Sequence, residues 1–245
     1  MATVKQANIA VGNFFFRHRN TLFPILFVSS ILSARPYIIG NPIVDRLLVV
    51  CGSLIACAGQ AVRLLTIGYE YIERGGKAGK VYASHLVQGR VYALTRNPMY
   101  LGNGLIAVGA TMVAGAPVVY AIVLPFFLFV YQALIAAEEV YLHSRFGKEY
   151  EQYCRSVNRL WPAVSRAQEV LAGLSYDWKR AIRKDLSTLT GLATSLMALR
   201  VWRLFWLQGW AEVKAVMPGA AAWMAAVLLL YSFAWYLKKE RRFFY

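Results

Sequence analysis

Apolar residues gather into long runs along this chain, and polar residues are confined to the segments between them. A run of about 20 apolar residues is the length that an α-helix needs to cross the hydrocarbon core of a bilayer. The pattern therefore predicts an all-α, polytopic membrane helix bundle with about six transmembrane helices. The predicted spans are residues 21–39, 47–68, 99–117, 118–137, 188–207 and 219–237.

The Lys and Arg residues of the loops fall mainly on one side of this predicted bundle. If the N-terminus lies inside, only Arg35, Arg46 and Lys214 fall in outer loops. Because basic loop residues mark the cytoplasmic side, both termini are predicted to be cytoplasmic. The expected location is the inner membrane of a bacterium or the endoplasmic reticulum membrane of a eukaryote. The sequence leaves the oligomeric state open.

Composition and charge fit the same picture. Hydrophobic residues make up 58% of the 245 residues, which is too apolar for an ordinary soluble domain. The net charge of +15 follows the topology, so the predicted partner is the membrane lipid bilayer and no nucleic acid. Cys51, Cys57 and Cys154 lack metal-ligand spacing, so no metal site is predicted.

The polar segments divide the chain into four predicted parts. These are residues 1–42 with the first span, 43–165 as a core with a helix hairpin, 166–187 as a basic interfacial linker, and 188–245 as the last pair of spans. Within the last pair, Arg200 and Arg203 lie towards the outer end of a span. Their side chains either snorkel to the interface or bind an anionic headgroup near the outer leaflet.

Two polar clusters flank the predicted hairpin. The stretch "LTRNPMYLGNG" at residues 94–104 opens one span, and Glu138 and Glu139 end the next. The 41 residues that separate Asn97 from Glu138 allow two antiparallel helices of about 20 residues each. We therefore expect Arg96, Asn97 and Tyr100 to face Glu138 and Glu139 at the cytoplasmic edge of the bilayer.

The expected cluster combines groups of both charges. Carboxylates can hold an amine, an arginine at a helix N-terminus can hold an anion, and a tyrosine can contact an aromatic ring. This combination suits a zwitterion with a positive centre, such as S-adenosylmethionine. The alternative is a salt bridge that only locks the hairpin, and spacing alone favours neither. The segment "GNGLIAVG" at residues 102–109 is predicted to pack helices closely through small residues.

The motif "GRVYALTRNPMYLGN", followed by "EEVYLHSRFGKEYEQYCRSVNRLWP", resembles the isoprenylcysteine carboxyl methyltransferase and phospholipid methyltransferase superfamily of integral membrane enzymes. The resemblance covers about residues 47–162. It implies that S-adenosylmethionine is the cofactor and that a lipophilic methyl acceptor enters from the membrane. The cofactor contacts that it implies within the motifs are Arg96, Asn97, Pro98, Tyr100, Gly102, Glu138 and Glu139. Those in the flanking segments are Gly89, Tyr92, Tyr150, Tyr153 and Arg159.

One position departs from the superfamily pattern, because Asn97 stands where a histidine is usual. An amide forms hydrogen bonds but does not take up a proton near neutral pH. The predicted catalytic residues are therefore Arg96, which can hold a carboxylate acceptor, and Glu139, which can accept a proton from an amine or hydroxyl acceptor. His143, four residues further along the same helical face, is the other candidate base, or an ordinary interfacial residue.

Four functions remain open on the sequence. The preferred one transfers a methyl group from S-adenosylmethionine to an isoprenoid or isoprenylcysteine-type acceptor, with a carboxylate as the expected acceptor group. Lipid N-methylation of an ethanolamine-type headgroup is compatible with the same motifs. An NADPH-dependent membrane reductase and a non-enzymatic membrane scaffold or lipid carrier are the remaining alternatives.

Overall fold

The computed structural model describes residues 42–70 and 83–239. It also describes seven earlier positions, which are Gly12, Phe14, Phe15, Arg17, His18, Arg35 and Pro36. Apart from Arg35 and Pro36, the predicted span at residues 21–39 lies outside the described residues.

Helices account for most of the described chain, and the described residues contain no strand. Within residues 42–70 and 83–239, the α-helices are α1 (Pro42–Tyr69), α2 (Pro98–Ala114), α3 (Leu124–Phe146), α4 (Lys148–Ser156), α5 (Ala167–Leu171), α6 (Trp178–Gln208) and α7 (Trp210–Lys239). Short 3-10 turns lie at Arg90–Ala93 and Val164–Arg166, and a π-helical turn at Val119–Val123 leads into α3. The predicted all-α fold is confirmed.

Three of these helices are long and apolar enough to cross a membrane. Their apolar segments are Ile43–Tyr69 in α1, Val119–Phe146 around α3, and Trp210–Tyr236 in α7. Helix α2 is apolar but shorter. Helix α6 has 31 residues and is about 46 Å long, which exceeds the roughly 30 Å of bilayer hydrocarbon. Its first turns include residues 178–187 of the predicted linker, which are strongly charged.

Helices α1 and α2 pack antiparallel through paired glycines. A Cβ atom built on Gly59 would lie 2.5 Å from the Gly102 carbonyl oxygen, and one built on Gly102 would lie 2.8 Å from the Gly59 carbonyl oxygen. Gly52 and Gly109, seven residues away on each helix, form the same kind of contact. Small residues let helix backbones approach closely. The predicted packing role of residues 102–109 is therefore confirmed.

The hairpin turn between α2 and α3 rests on Gly115. Its φ of 62° lies in the left-handed region, which glycine adopts without steric cost, and its amide donates to the Thr111 carbonyl oxygen at 3.0 Å. The chain then reverses and returns through Val119–Val123 into α3. The start of α2 and the end of α3 consequently lie at the same end of the bundle.

Helix α6 covers the α1–α2 pair, and α7 packs on α6. Leu199 of α6 packs into a core cluster with Ala110, Val113 and Ala114 of α2. Near the start of α6, Arg180 donates to the Ile67 carbonyl oxygen at 2.9 Å in the last turn of α1. Contacts with α6 therefore extend along the full length of α1.

Arg203 of α6 is buried beside the hairpin turn. Its guanidinium forms an ion pair with Asp45 of α1 and donates to the Val113 carbonyl oxygen at 3.2 Å. The prediction that Arg203 snorkels to the interface or holds a headgroup is wrong, because Asp45 supplies its anionic partner inside the bundle. Arg200, three residues earlier, is exposed.

Candidate functional site

The two polar clusters of the hairpin meet where α2 begins and α3 ends. Pro98 occupies the first turn of α2, where its missing N–H costs nothing. Two residues further on, the Tyr100 hydroxyl donates to Glu138 Oε1 at 2.7 Å. Arg96 Nη2 lies 3.6 Å from Glu139 Oε1. The predicted juxtaposition of these clusters is confirmed.

Arg159 joins the cluster from the loop after α4. Its Nε donates to Glu139 Oε1 at 3.0 Å, and its Nη2 donates to Glu139 Oε2 at 2.8 Å. Its Nη1 donates to Gln132 Oε1 at 2.8 Å. A bidentate pair of this kind is the stronger form of arginine–carboxylate contact. Glu139 is therefore held mainly by Arg159.

The loop that carries Arg159 lies along the segment before α2. The Arg159 carbonyl oxygen accepts from Asn97 Nδ2 at 3.0 Å, and the Arg96 amide donates to the Asn158 carbonyl oxygen at 2.9 Å. Further along, the Ala163 amide donates to the Leu94 carbonyl oxygen at 2.9 Å. The side-chain amide of Asn97 thus holds this loop in place. This role needs a hydrogen-bond donor and no proton transfer.

Arg96 lacks a comparably strong partner. Its Nη1 contacts the Cys154 sulfur, a weak acceptor, and its nearest carboxylate is the one that Arg159 already holds. Its Nε is buried and has no hydrogen-bond partner among the described residues. Because a buried donor without a partner is costly, this nitrogen is a group of the cluster that an added acceptor would satisfy.

Helix α4 supplies two buried tyrosines to the floor of the cluster. The Tyr153 hydroxyl donates to the Tyr92 carbonyl oxygen at 2.7 Å, which ties α4 to the 3-10 turn before α2. Burial raises the pKa of Tyr150, and the nearby Glu139 carboxylate raises it further. Burial also raises the pKa of Tyr153, although Arg96 opposes the change. Both phenols therefore stay protonated near neutral pH and are unsuited to act as bases.

Three other predicted residues lie apart from the charged groups. Gly89 is exposed at the start of the 3-10 turn, with open space around its Cα among the described residues. Gly102 is buried against Gly59 and Arg63 of α1, so its position serves helix packing. His143 is exposed, and its Nε2 lies 2.9 Å from Glu151 Oε1. Glu139 thus remains the candidate base inside the cluster.

The sequence prediction missed two side chains of the cluster. Gln132 is a polar residue inside an apolar run, and it precedes Glu139 by two helical turns, which places both on one face of α3. That spacing could have identified it. Cys154 follows Tyr150 by one turn of α4, but nothing in its surroundings in the sequence indicates a contact with Arg96.

The comparison with known families adds an independent observation. Residues 47–149 match the family model described as phospholipid methyltransferase. No curated protein and no solved structure matches the chain. The matched segment contains α1 from residue 47 onward, α2, α3 and the residues from Arg96 to Glu139, whereas Arg159, α6 and α7 lie beyond it. Residues 47–149 are therefore similar to the phospholipid methyltransferase family of the integral membrane methyltransferase superfamily.

Proposed function

We propose that the protein uses S-adenosylmethionine to methylate the amine headgroup of a membrane phospholipid, with its site open to the cytoplasm. The observation that carries this proposal is the state of Arg96, whose buried Nε has no partner among the described residues. The description of the matched family supports the same reaction class. The positive-inside distribution of Lys and Arg supports the orientation.

The cluster offers a complementary group for each charge of the cofactor. Arg96 is the group that would hold its carboxylate, and Glu138 is the group that would hold its amine. The Tyr100 ring, 5.9 Å from the Tyr131 ring, offers an aromatic surface. When bound, S-adenosylmethionine supplies an electrophilic methyl group on a sulfonium. These residues contribute position, charge and exclusion of water.

Charge distribution in the cluster favours an amine acceptor over a carboxylate. A carboxylate acceptor needs a cation, but Arg159 is already bound to Glu139 and Gln132, and Arg96 is the cation left for the cofactor. An amine acceptor must instead lose a proton before it attacks. Glu139 is the carboxylate that we assign to receive this proton. The preferred acceptor therefore shifts from the isoprenylcysteine-type carboxylate expected from the sequence.

The first test is calorimetric binding to detergent-purified protein. We expect the wild type to bind S-adenosylmethionine and not NADPH, and we expect Glu138→Gln and Arg96→Gln to weaken binding at least tenfold. Glu149→Gln is the matched control, because Glu149 pairs with Gln88 at the exposed edge of α4. NADPH binding alone would support the reductase, and binding of neither ligand by folded protein would support the scaffold.

The second test identifies the acceptor. Protein in vesicles is supplied with S-adenosylmethionine that carries a labelled methyl group, and either an ethanolamine phospholipid or a prenylated cysteine with a free carboxylate. Label in the ethanolamine headgroup is the expected result. Label in the prenylated carboxylate alone would retain the methyltransferase and overturn the choice of acceptor.

A further inference from the structure

A second charged cluster lies inside the bundle, between α1, α2 and α6. Arg63 Nε donates to Asp185 Oδ2 at 3.0 Å, and Arg63 Nη2 pairs with Asp185 Oδ1. The Asp185 side chain is only 1% exposed, and Gln60 Nε2 donates to it at 2.8 Å. A buried ion pair is a costly way to stabilise a helix bundle, so its presence requires an explanation.

All three guanidinium nitrogens of Arg63 donate to protein groups. Besides Asp185, its Nη1 donates to Asn103 Oδ1 and its Nη2 donates to Thr188 Oγ1 at 3.1 Å. A guanidinium in this state is not available to an anionic ligand, unlike that of Arg96. Arg63 instead connects α2, the first helix of the hairpin, to α6.

The connection reaches α2 next to the candidate active site. Asn103 follows Tyr100 by one helical turn, and Gly102 between them packs on the Arg63 side chain, whose Cγ would lie 2.7 Å from an added Cβ. Arg63 therefore fixes both the height and the rotation of the first two turns of α2. The 2.7 Å contact between Tyr100 and Glu138 depends on that placement.

We propose that Asp185, acting through Arg63 and Asn103, is a positioning residue for the methyltransferase site. This inference rests on the proposed function, and it extends the active unit to α6, which lies beyond the segment matched by the family. Asp185 does not touch the reacting groups. It holds Arg63 in the one orientation that reaches Asn103, and so sets the start of α2 against the end of α3.

If Asp185 only stabilised the fold, its loss would have a different effect on the site, and the chain contains a suitable control for this case. Arg203, which is buried, and Asp45, which is partly buried, form another ion pair between the same two helices, at the opposite end of α1. Loss of that pair should loosen the α1–α6 contact without reaching Tyr100. Asp45→Asn is therefore the matched control for Asp185→Asn.

The experiment compares four purified proteins: wild type, Asp45→Asn, Asp185→Asn, and the double variant Arg63→Met with Asp185→Leu. The double variant removes both charges, so it guards against misfolding caused by an unpaired buried arginine. Each protein is measured for thermal midpoint, affinity for S-adenosylmethionine, kcat, and KM for the lipid acceptor. We expect the double variant to keep a midpoint near that of the wild type.

The expected result is a tenfold or greater loss of cofactor affinity or kcat in both Asp185 variants. Asp45→Asn should change these values less than threefold, even if its midpoint falls. Wild-type affinity and kcat in a well-folded double variant would overturn the positioning role and leave the proposed function intact. Failure of folded wild type to bind S-adenosylmethionine would overturn both.

Discussion

Arg96 and Arg159 carry the same charge and approach the same carboxylate, but they are bound to it differently. Arg159 makes two hydrogen bonds to Glu139, whereas the Arg96 contact with Glu139 is 3.6 Å long. The planar fork of arginine allows the first arrangement, and the presence of Arg159 prevents Arg96 from repeating it. This difference is the reason why we assign Arg159 to hold Glu139 and Arg96 to bind the cofactor.

Arg159→Lys tests the structural half of this division. A lysine has one ammonium group and does not reproduce the bidentate contact with Glu139 or reach Gln132 at the same time. We expect the free energy of unfolding to fall by about 1 kcal/mol, a modest value because Arg159 is 36% exposed and water screens the pair. Denaturant titration in detergent measures the change. Arg155→Lys, at an exposed position of α4, should leave the midpoint where it is.

Tyr153 gives a prediction about alkaline pH. Burial raises its pKa above the ordinary value of about 10, so above pH 10 the unfolded chain loses a proton that the folded chain retains. Stability should therefore fall as the pH rises from 10. Tyr153→Phe should lower stability at pH 8 through the lost hydrogen bond to Tyr92, and should flatten the decline above pH 10. Thermal midpoints measured from pH 8 to 11 give both values, and parallel curves would contradict the assignment.

At the scale of elements, glycine spacing determines how closely α1 and α2 approach. Gly52 and Gly59 meet Gly109 and Gly102 in antiparallel order, so backbone lies against backbone. Larger residues at these positions would separate the helices and displace the polar residues that follow them. Helix packing and site geometry are thus linked through the same turns of α2.

Gly59→Ala tests this packing. The added Cβ would lie 2.5 Å from the Gly102 carbonyl oxygen and 2.8 Å from the Ile106 amide nitrogen, and neither backbone group can turn aside. We expect a loss of about 1–3 kcal/mol in the free energy of unfolding. Gly104→Ala is the control, because its Cα faces open space among the described residues. That change should be neutral or slightly stabilising, since alanine favours helix.

At the scale of the whole molecule, the hairpin core formed by α1, α2 and α3, which includes the segment matched by the family model (residues 47–149), depends on α6 more than on α7. Helix α6 supplies ionic partners to Arg63 and Asp45 of α1, and Arg180 donates to carbonyl oxygens at the C-terminal end of α1. Helix α7 packs on α6, for example through the 3.3 Å hydrogen bond from Trp223 Nε1 to the Ala193 carbonyl oxygen.

Two truncations separate these contributions. Removal of residues 209–245 deletes α7 and should leave a monodisperse protein that retains its ligand affinity within about threefold. Removal of residues 176–245 also deletes α6 and leaves the Arg63 charge without its carboxylate inside the bundle, so we expect aggregation. Size-exclusion chromatography in detergent distinguishes the two outcomes. A folded, active product of the deletion of residues 176–245 would show that the hairpin core folds and functions without α6.

Local rules explain which features the sequence could predict. The meeting of Tyr100 with Glu138 follows from the rise of a helix and the length of the hairpin, and both can be counted along the chain. The pairing of Arg63 with Asp185 leaves no such pattern, because 122 residues separate them. Asp185 falls in the predicted interfacial linker because its neighbours are basic. Its burial depends on how α6 turns against α1, which local sequence does not encode.

The double hydrogen bond between Arg159 and Glu139 has a consequence for ligand affinity. An ammonium group that binds Glu139 competes with a guanidinium already in place, so binding is an exchange of one cation for another. The measured affinity would then be the difference between two ion pairs, and a modest value would be compatible with a well-formed site. A displaced Arg159 side chain would also lose its contacts with α3, while Asn97 still holds the backbone of its loop, so that uptake of the ligand and movement of this side chain become a single event.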